Sequence, residues 1–112
     1  METVSPSAYC IVLVTTSSRQ EAETIGSALV EARLAACVSL TPVHSIYTWQ
    51  GEVHRDDEWQ LMIKSEASRF EELAALVRSR HSYDVPEIIA LPLIAGSPPY
   101  LQWISDQVRP LT

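Results

Sequence analysis

Apolar residues at the start of the chain form first a continuous run and then a helical stripe. The run Tyr9–Thr16 is rich in β-branched residues and predicts a central strand buried on both faces. Ser18 and Glu21 have the spacing of a capping box, in which each side chain bonds a backbone N–H of the other, so a helix is expected to begin there. The stripe expected to pack on a sheet is Ala22, Ile25, Leu29 and Ala32.

Alternating apolar and polar residues then predict a long β-hairpin. The first arm, residues 36–49, alternates with a break at Pro42, which implies a bulge or an edge position. Gln50-Gly51 supplies the turn, and residues 58–65 alternate again. Because each arm has room to exceed the ~5 to 6 residues of a typical strand, the hairpin is expected to overhang the core. The apolar face of the second arm is Trp59, Leu61 and Ile63.

The second half of the chain predicts a helix, a strand and a shorter helix. Ser65 or Ser68 is expected to cap the helix, which ends near His81. Val85-Pro86 requires extended backbone, and residues 87–94 predict another buried strand. A short third helix follows the Gly-Ser-Pro-Pro break and stops at the last proline. The apolar positions are Phe70, Leu73, Ala74 and Val77 in the second helix and Leu101, Ile104 and Val108 in the third.

This order of elements is the split βαβ pattern. It predicts an α+β, ferredoxin-like βαββαβ sandwich with strand order 4-1-3-2, an extended hairpin between strands two and three, and a C-terminal helix. One domain over residues 1–112, with a core at about 8–108, fits the typical domain size of ~100 to 150 residues. Strand three would separate Cys10 from Cys37 by roughly 9 to 10 Å, whereas a disulfide needs Cα atoms within about 7 Å. Free thiols are therefore expected.

Charge and composition narrow the functional classes. The net charge of −6 excludes nucleic acid and membrane surfaces as expected partners, because both are bound chiefly through clustered Lys and Arg. No basic segment precedes the first apolar run, which is too short for a signal peptide or a membrane span, so a cytoplasmic location is predicted. No nucleophile elbow, phosphate-binding loop or HExxH motif is present, and no enzyme is predicted. Asp56, Asp57 and Glu58 are interpreted as a solvated acidic turn.

An ordered set of short motifs is spread over roughly residues 11–108: AACV (35–38), YTWQG (47–51), Glu58, IK (63–64), HSYDVPEI (81–88), LP (91–92), Gly96 and YLQWI (100–104). Together these motifs resemble the CutA family, the divalent-cation tolerance proteins. The resemblance implies a homotrimer in which each long hairpin extends a neighbour's sheet, and an architecture similar to the PII signalling proteins, which bind small effectors between subunits. Exposed Tyr47 and Trp49 on the overhang independently favour self-association.

The resemblance also implies candidate metal ligands. In some family members a strand-one Cys and two adjacent His at the end of the second long helix bind copper, but Val14 and Arg80 occupy two of those positions here. His81 and Cys37 remain as metal candidates, with a divalent cation such as copper as the only cofactor suggested, although one imidazole does not make a high-affinity site. The alternatives are an imidazolium favoured by the helix C-terminus for His81 and a small buried core residue for Cys37.

Ligand-binding candidates come from the same motifs and combine aromatic faces with one charge of each sign. Lys64 suits a carboxylate or phosphate group in a cleft between subunits. The alternative is a Lys64–Glu87 ion pair, with the aromatic residues packed at the trimer contact. The candidates are Tyr47, Trp49, Lys64, Tyr83, Glu87 and Trp103.

Three functional hypotheses follow. The first is a non-enzymatic CutA-like homotrimer involved in the response to and tolerance of divalent metal ions, with copper binding. The second is a PII-like regulatory trimer that binds a small anionic effector in clefts between subunits. The third is an assembly role with no ligand.

Overall fold

The computed structural model describes residues 8–110, which form one four-stranded sheet and three α-helices. The strand order is β2-β3-β1-β4 and each neighbouring pair is antiparallel, which confirms the predicted α+β fold and strand order. The predicted domain limits include residues 1–7 and 111–112, which lie outside the described residues. The elements are β1 (Tyr9–Thr16), α1 (Arg19–Glu31), β2 (Cys37–Trp49), β3 (Glu52–Glu66), a 3-10 turn (Ala67–Arg69), α2 (Phe70–Arg80), β4 (Ile89–Pro92) and α3 (Pro98–Val108).

The core lies between one face of the sheet and the helices α1 and α2. Alternate residues of β1 and β3 point toward these helices and are fully buried. Ala32, predicted to belong to the α1 stripe, is exposed because the helix ends at Glu31, and Leu34 enters the core instead. Core residues from the sheet and helices include Val12, Val14, Leu61, Ile63, Ile25, Leu29, Leu73 and Val77.

Of the helix caps predicted from the sequence, the structure confirms the one at α1 and not the one at α2. The Glu21 backbone N–H donates to Ser18 Oγ at 3.1 Å, so Ser18 caps α1 as predicted. The Glu21 carboxylate does not complete the capping box: it accepts from Ser82 N at 2.7 Å and thereby ties the loop after α2 to the start of α1. The predicted serine cap of α2 is wrong, since Ser65 is buried in β3 and donates to the Leu34 carbonyl at 2.7 Å.

The hairpin of β2 and β3 is longer than the core requires. Its register runs one to one from Cys37–Lys64 to Trp49–Glu52, so Pro42 marks an edge strand and no bulge interrupts the pairing. Gln50 and Gly51 have φ values of 51° and 80°, the left-handed pair that a tight two-residue hairpin turn demands. Since β1 pairs only with β3 residues 59–66, the arms beyond that point overhang the core, as predicted.

The opposite side of the sheet, here called the open face, is only partly covered. At one end α3 packs Ile104 and Val108 against Tyr9, whose hydroxyl is 2.7 Å from Ser105 Oγ. Farther along, Ile89 and Leu91 of β4 are 49% and 47% exposed. The prediction of a buried strand over residues 87–94 is therefore wrong, because β4 is a four-residue edge strand paired only with β1.

Both cysteines are free, as predicted. Cys10 pairs across to Ser65 and Cys37 to Lys64, so β3 lies between the two thiols. Burial raises the pKa of the Cys10 thiol, which keeps it protonated and inert. Within residues 8–110, none of the helices is long and apolar enough to span a bilayer.

Candidate functional site

A cleft of about 580 Å³ opens at the end of the open face that lies away from α3. It forms where the hairpin overhang passes the end of β1 and the loop between α2 and β4 crosses beside it. Alternation along β2 and β3 turns their odd-numbered and even-numbered residues, respectively, toward this face. Three aromatic and three acidic residues line the cleft: Tyr47, Trp49, Tyr83, Glu58, Asp84 and Glu87.

The most buried charged group of the cleft is Glu58, which is 7% exposed. The Tyr83 hydroxyl donates to Glu58 Oε2 at 2.7 Å. Burial first, and then this bond to a carboxylate, raise the pKa of Tyr83 far above its ordinary value, so the phenol keeps its proton and remains a donor. Glu58 and Tyr83 thus form a fixed polar pair that joins β3 to the loop after α2.

The interpretation of the three consecutive acidic residues as a solvated turn is wrong for Glu58. β3 begins at Glu52, six positions before the predicted start, so the acidic residues lie within a strand and alternate between its two faces. Asp57 points away from the cleft, with a 93% exposed side chain, and its carboxylate is 2.9 Å from His44 Nδ1. Asp56 and Glu58 share the open face.

Tyr47 also donates its hydroxyl proton to a carboxylate. Its partner is Asp56 Oδ2 at 2.5 Å, and this hydrogen bond raises the pKa of Tyr47. The ring stacks on His54 with a centroid separation of 5.5 Å and an interplanar angle of 18°. Both phenols near the cleft therefore face carboxylates as donors, and neither has a hydroxyl hydrogen left for an anionic ligand.

Glu87 enters the cleft from the loop before β4. Burial first, and then the negative charge of Glu58, raise the pKa of its carboxyl group. The predicted Lys64–Glu87 ion pair is absent among the described ion pairs: the Lys64 ammonium donates to Ser39 Oγ at 2.9 Å and lies 3.9 Å from Cys37 Sγ. Since Lys64 lies six positions after Glu58 on β3, the two side chains are about 20 Å apart along the strand.

Trp103 is also remote from the cleft. It lies on α3, which packs at the Tyr9 end of the open face, and its ring is 5.5 Å from that of Tyr100. Of the six predicted ligand residues, the structure brings together Tyr47, Trp49, Tyr83 and Glu87 and leaves Lys64 and Trp103 at the other end of the sheet.

His81 has a fully buried side chain, and both of its ring nitrogens are engaged. Nε2 is 2.7 Å from the Thr15 carbonyl oxygen and must donate to it, while Nδ1 accepts from the Tyr83 N–H at 3.0 Å. With these partners Nε2 acts as a donor and Nδ1 as an acceptor, and Glu21 Oε2 lies 3.7 Å from Nδ1. His81 has no lone pair free for a metal ion; it holds in place the loop that carries Tyr83.

Cys37 lies far from His81. Cys37, Lys64 and Ile11 are side by side across three strands, whereas His81 bonds Thr15, about 13 Å farther along β1. Across the described part of the chain, no group of three or more His, Cys, Asp or Glu side chains is placed to hold a metal ion. The residues present therefore do not fit a copper centre built on His81 and Cys37.

Two of the acidic residues that line the cleft, Glu58 and Asp84, were not predicted as ligand residues from the sequence. The acidic run around Glu58 resembles a turn, and Asp84 carries no separate signal although it lies inside the HSYDVPEI motif. The signal for Glu58 was available: it shares the even-numbered periodicity of Gln60, Met62 and Lys64, and therefore their face of the strand.

Comparisons with known proteins agree in family and in fold. The profile of the CutA1 divalent ion tolerance protein family matches residues 10–107. The chain is 47% identical to the divalent-cation tolerance protein CutA of Thermus thermophilus over 86% of this chain and 94% of that protein. It is 45% identical to the human protein CutA over 88% of this chain but 56% of the human protein, so it spans about half the length of that relative.

The structural comparison gives the same result. The periplasmic divalent cation tolerance protein CutA of Archaeoglobus fulgidus superimposes with a TM-score of 0.89 at 34% sequence identity. The similarity covers 90% of this chain and 99% of that one. The two chains therefore share one fold.

Proposed function

The chain belongs to the CutA1 divalent ion tolerance family, and we propose that it acts as a non-catalytic homotrimer that supports tolerance of divalent metal ions by binding a ligand in the cleft around Glu58. The observation that carries the ligand-site assignment is the buried Glu58 carboxylate, held by Tyr83 and facing a cleft of about 580 Å³. Small-molecule sites commonly occupy ~300 to 1,000 Å³. The cytoplasmic location of the protein stays a prediction.

The open face supports the assembly part of the proposal. Ile11, Leu13 and Met62 lie side by side with exposed Ile89 and Leu91 and form an apolar strip in the middle of the sheet. The strip reaches the outer edge of β4, and β2 forms the other outer edge of the sheet in the described residues. Exposed strand edges and apolar strips of this kind favour association, and further copies of this chain supply matching edges.

The hairpin overhang gives the assembly its geometry. The chain measures 53 × 28 × 21 Å, and its long axis exceeds what one compact domain of this size needs. The tip carries large exposed apolar side chains on both arms, including Ile46 at 63% and Val53 at 60%. Both side chains lie on the face of the hairpin opposite the cleft, so a neighbouring subunit that packs along that face of the arms would bury them.

Copper binding is the weaker part of the family-based expectation. His81 is committed to two hydrogen bonds and Cys37 is distant from it, so neither supports a direct copper site. The proposed role in metal tolerance therefore depends on the cleft and on assembly, and not on direct copper binding by His81 and Cys37.

A PII-like regulatory trimer that binds a small anionic effector is the second candidate. Lys64 favours it, since its ammonium group reaches the open face beside the Ser39 hydroxyl, and together they offer a cation and a hydroxyl donor to an anion at a subunit contact. This site would lie about 20 Å from the Glu58 cleft and is separable from it by mutation.

Complementation tests both candidates. A bacterial strain that lacks its own CutA gene would carry the wild-type chain, Glu58→Gln, Lys64→Gln or Asp57→Asn, the last removing a neighbouring carboxylate on the other face of β3. Growth in graded copper and zinc is expected to be restored by the wild type and Asp57→Asn but not by Glu58→Gln. Restoration by Glu58→Gln and failure of Lys64→Gln would reject the cleft in favour of the second candidate.

A further inference from the structure

The loop between α2 and β4, residues 81–88, supplies one wall of the cleft. Tyr83, Asp84, Val85 and Glu87 of this loop are among the lining residues. The loop contains neither helix nor strand, so bonds made by side chains must fix its path. The position of the loop therefore decides the shape of the cleft wall.

Four hydrogen bonds join this loop to other elements in the described part of the chain. Two of them end on Glu21 of α1: Oε2 accepts from the Ser82 N–H at 2.7 Å, and Oε1 accepts from the Ser82 hydroxyl at 3.1 Å. Bonds to a carboxylate are roughly twice as strong as bonds between neutral groups. The Glu21 side chain is only 16% exposed, so water competes little for these bonds. Glu21 therefore attaches the loop firmly to α1.

The residues on either side of Ser82 are attached to two further elements. His81 bonds the Thr15 carbonyl at the end of β1, and the Tyr83 hydroxyl bonds Glu58 on β3. The Tyr83 N–H also donates to His81 Nδ1 at 3.0 Å, which links the two flanking residues directly. Because three consecutive residues are bonded to three different elements, a displacement of Ser82 moves both of its neighbours.

Every contact in this series lies within one chain. A neighbouring subunit placed over the cleft would change the charge and access of the cleft but would leave the path from Glu21 to Tyr83 intact. Glu21 belongs to α1, which packs on the opposite face of the sheet, and is not among the described lining residues. It can act on a ligand in the cleft only through the loop.

We propose that Glu21 is a positioning residue of the cleft: it holds Ser82 so that Tyr83 meets Glu58, and it thereby fixes the wall against which a ligand binds. The proposal rests on the proposed function in one respect, the use of this cleft as the ligand site. It adds control of that site from α1, since a change at the start of this helix reaches the cleft through Ser82.

Amide hydrogen exchange, followed by NMR in the full-length protein, tests the attachment. Glu21→Gln puts an NH2 group where one carboxylate oxygen accepted, and protection of the Ser82 amide is expected to fall at least about tenfold. Glu23→Gln removes the same charge from a 58% exposed side chain two positions later and should leave protection unchanged. Fully buried Val12 reports global opening and should not change. No loss at Ser82, or an equal loss at Val12, would overturn the proposal.

The Tyr83 ring provides a signature of its position. It lies 4.8 Å from the His81 ring, so its NMR signals, assigned by their absence in Tyr83→Phe, depend on where the loop lies. They are expected to move toward those of free tyrosine in Glu21→Gln, and less far in Ser82→Ala, which keeps the Ser82 N–H bond. Unmoved signals in Glu21→Gln would overturn the proposal. If Glu21→Gln does not fold, unmoved signals in Ser82→Ala would do so.

Complementation separates this inference from the proposed function. Growth in copper and zinc is expected to be restored by Glu23→Gln and reduced with Glu21→Gln. If Glu58→Gln fails to restore growth but Glu21→Gln restores it fully, the positioning role fails and the cleft remains the ligand site. If Glu21→Gln displaces Tyr83 but both Glu21→Gln and Glu58→Gln restore growth, the proposed function fails, whereas the attachment of the loop by Glu21 stands.

Discussion

The two faces of the sheet have opposite chemistry although their residues alternate along the same strands. On the helix-covered face, Val12 and Val14 are fully buried under α1 and α2. Their neighbours Leu13 and Thr15 point to the open face, toward the apolar strip and the cleft. A period of two residues thus separates the side chains that stabilise the fold from those available to other molecules.

The open face also changes along its length. One end is covered by α3, the middle carries the exposed apolar strip, and the far end holds the acidic and aromatic cleft. Four predictions test this division, in order of decreasing expected effect.

Adjacent residues of β3 provide the strongest contrast between the two faces. Leu61→Ala is expected to lower the free energy of unfolding by about 2 to 5 kcal/mol, because Leu61 is fully buried. Met62→Ala on the open face should cost less, and its effect should grow on dilution, because subunit dissociation depends on concentration. Urea denaturation at two protein concentrations measures both. If both variants lose the same free energy of unfolding at both protein concentrations, the division between the two faces is contradicted.

His81→Ala tests whether the buried imidazole is structural. The change leaves the Thr15 carbonyl and the Tyr83 N–H without their partner and is expected to cost roughly 2 to 3 kcal/mol. His44→Ala, at an exposed side chain, is the control and should have little effect. Thermal denaturation with and without copper measures the loss. If copper stabilises the wild type but not His81→Ala, the assignment of His81 as a purely structural residue is wrong.

The two tyrosine–carboxylate bonds of the cleft region should differ in strength. Tyr83→Phe is expected to cost about 1 to 2 kcal/mol, because it removes the hydroxyl bonded to the buried Glu58. Tyr47→Phe should cost less, since its bond to Asp56 is exposed to solvent. Chemical denaturation of both variants compares the two losses in the free energy of unfolding. A larger loss in Tyr47→Phe than in Tyr83→Phe would contradict the expected order.

Replacing Glu87 is expected to stabilise the fold slightly, in contrast to the substitutions above, and the size of this effect depends on pH. Its pKa is raised in the folded protein, so ionisation disfavours the folded state as pH rises above the ordinary value of 4.5. Glu87→Gln should therefore raise the free energy of unfolding at pH 7, by less than about 1 kcal/mol because the residue is exposed, and leave it unchanged well below pH 4.5. Melting curves at both pH values test this; a stabilisation only in acid would contradict it.

Much of this division was predictable from local patterns. β1, the α1 start at Ser18 and the strand order follow from an apolar run, a cap and the order of elements. The exposure of β4 did not follow, because its apolar sequence resembles a buried strand and only its place at the sheet edge leaves it uncovered.

The candidate site was predictable to a smaller extent. Shared motifs led to Tyr47, Trp49, Tyr83 and Glu87, but not to their separation from Lys64, which depends on the register set by the Gln50-Gly51 turn. The role of His81 was beyond local sequence, since its partner is the backbone carbonyl of Thr15, 66 positions earlier in the chain.

The central claim is that the open face is where this chain meets other molecules, beginning with its own copies. Light scattering of the wild-type protein at micromolar concentration tests it most directly, beside Leu13→Glu, which places a charge in the apolar strip. A wild-type mass of three times the 12.5 kDa chain is expected, with a smaller mass for the folded variant. A wild-type mass of 12.5 kDa would contradict it.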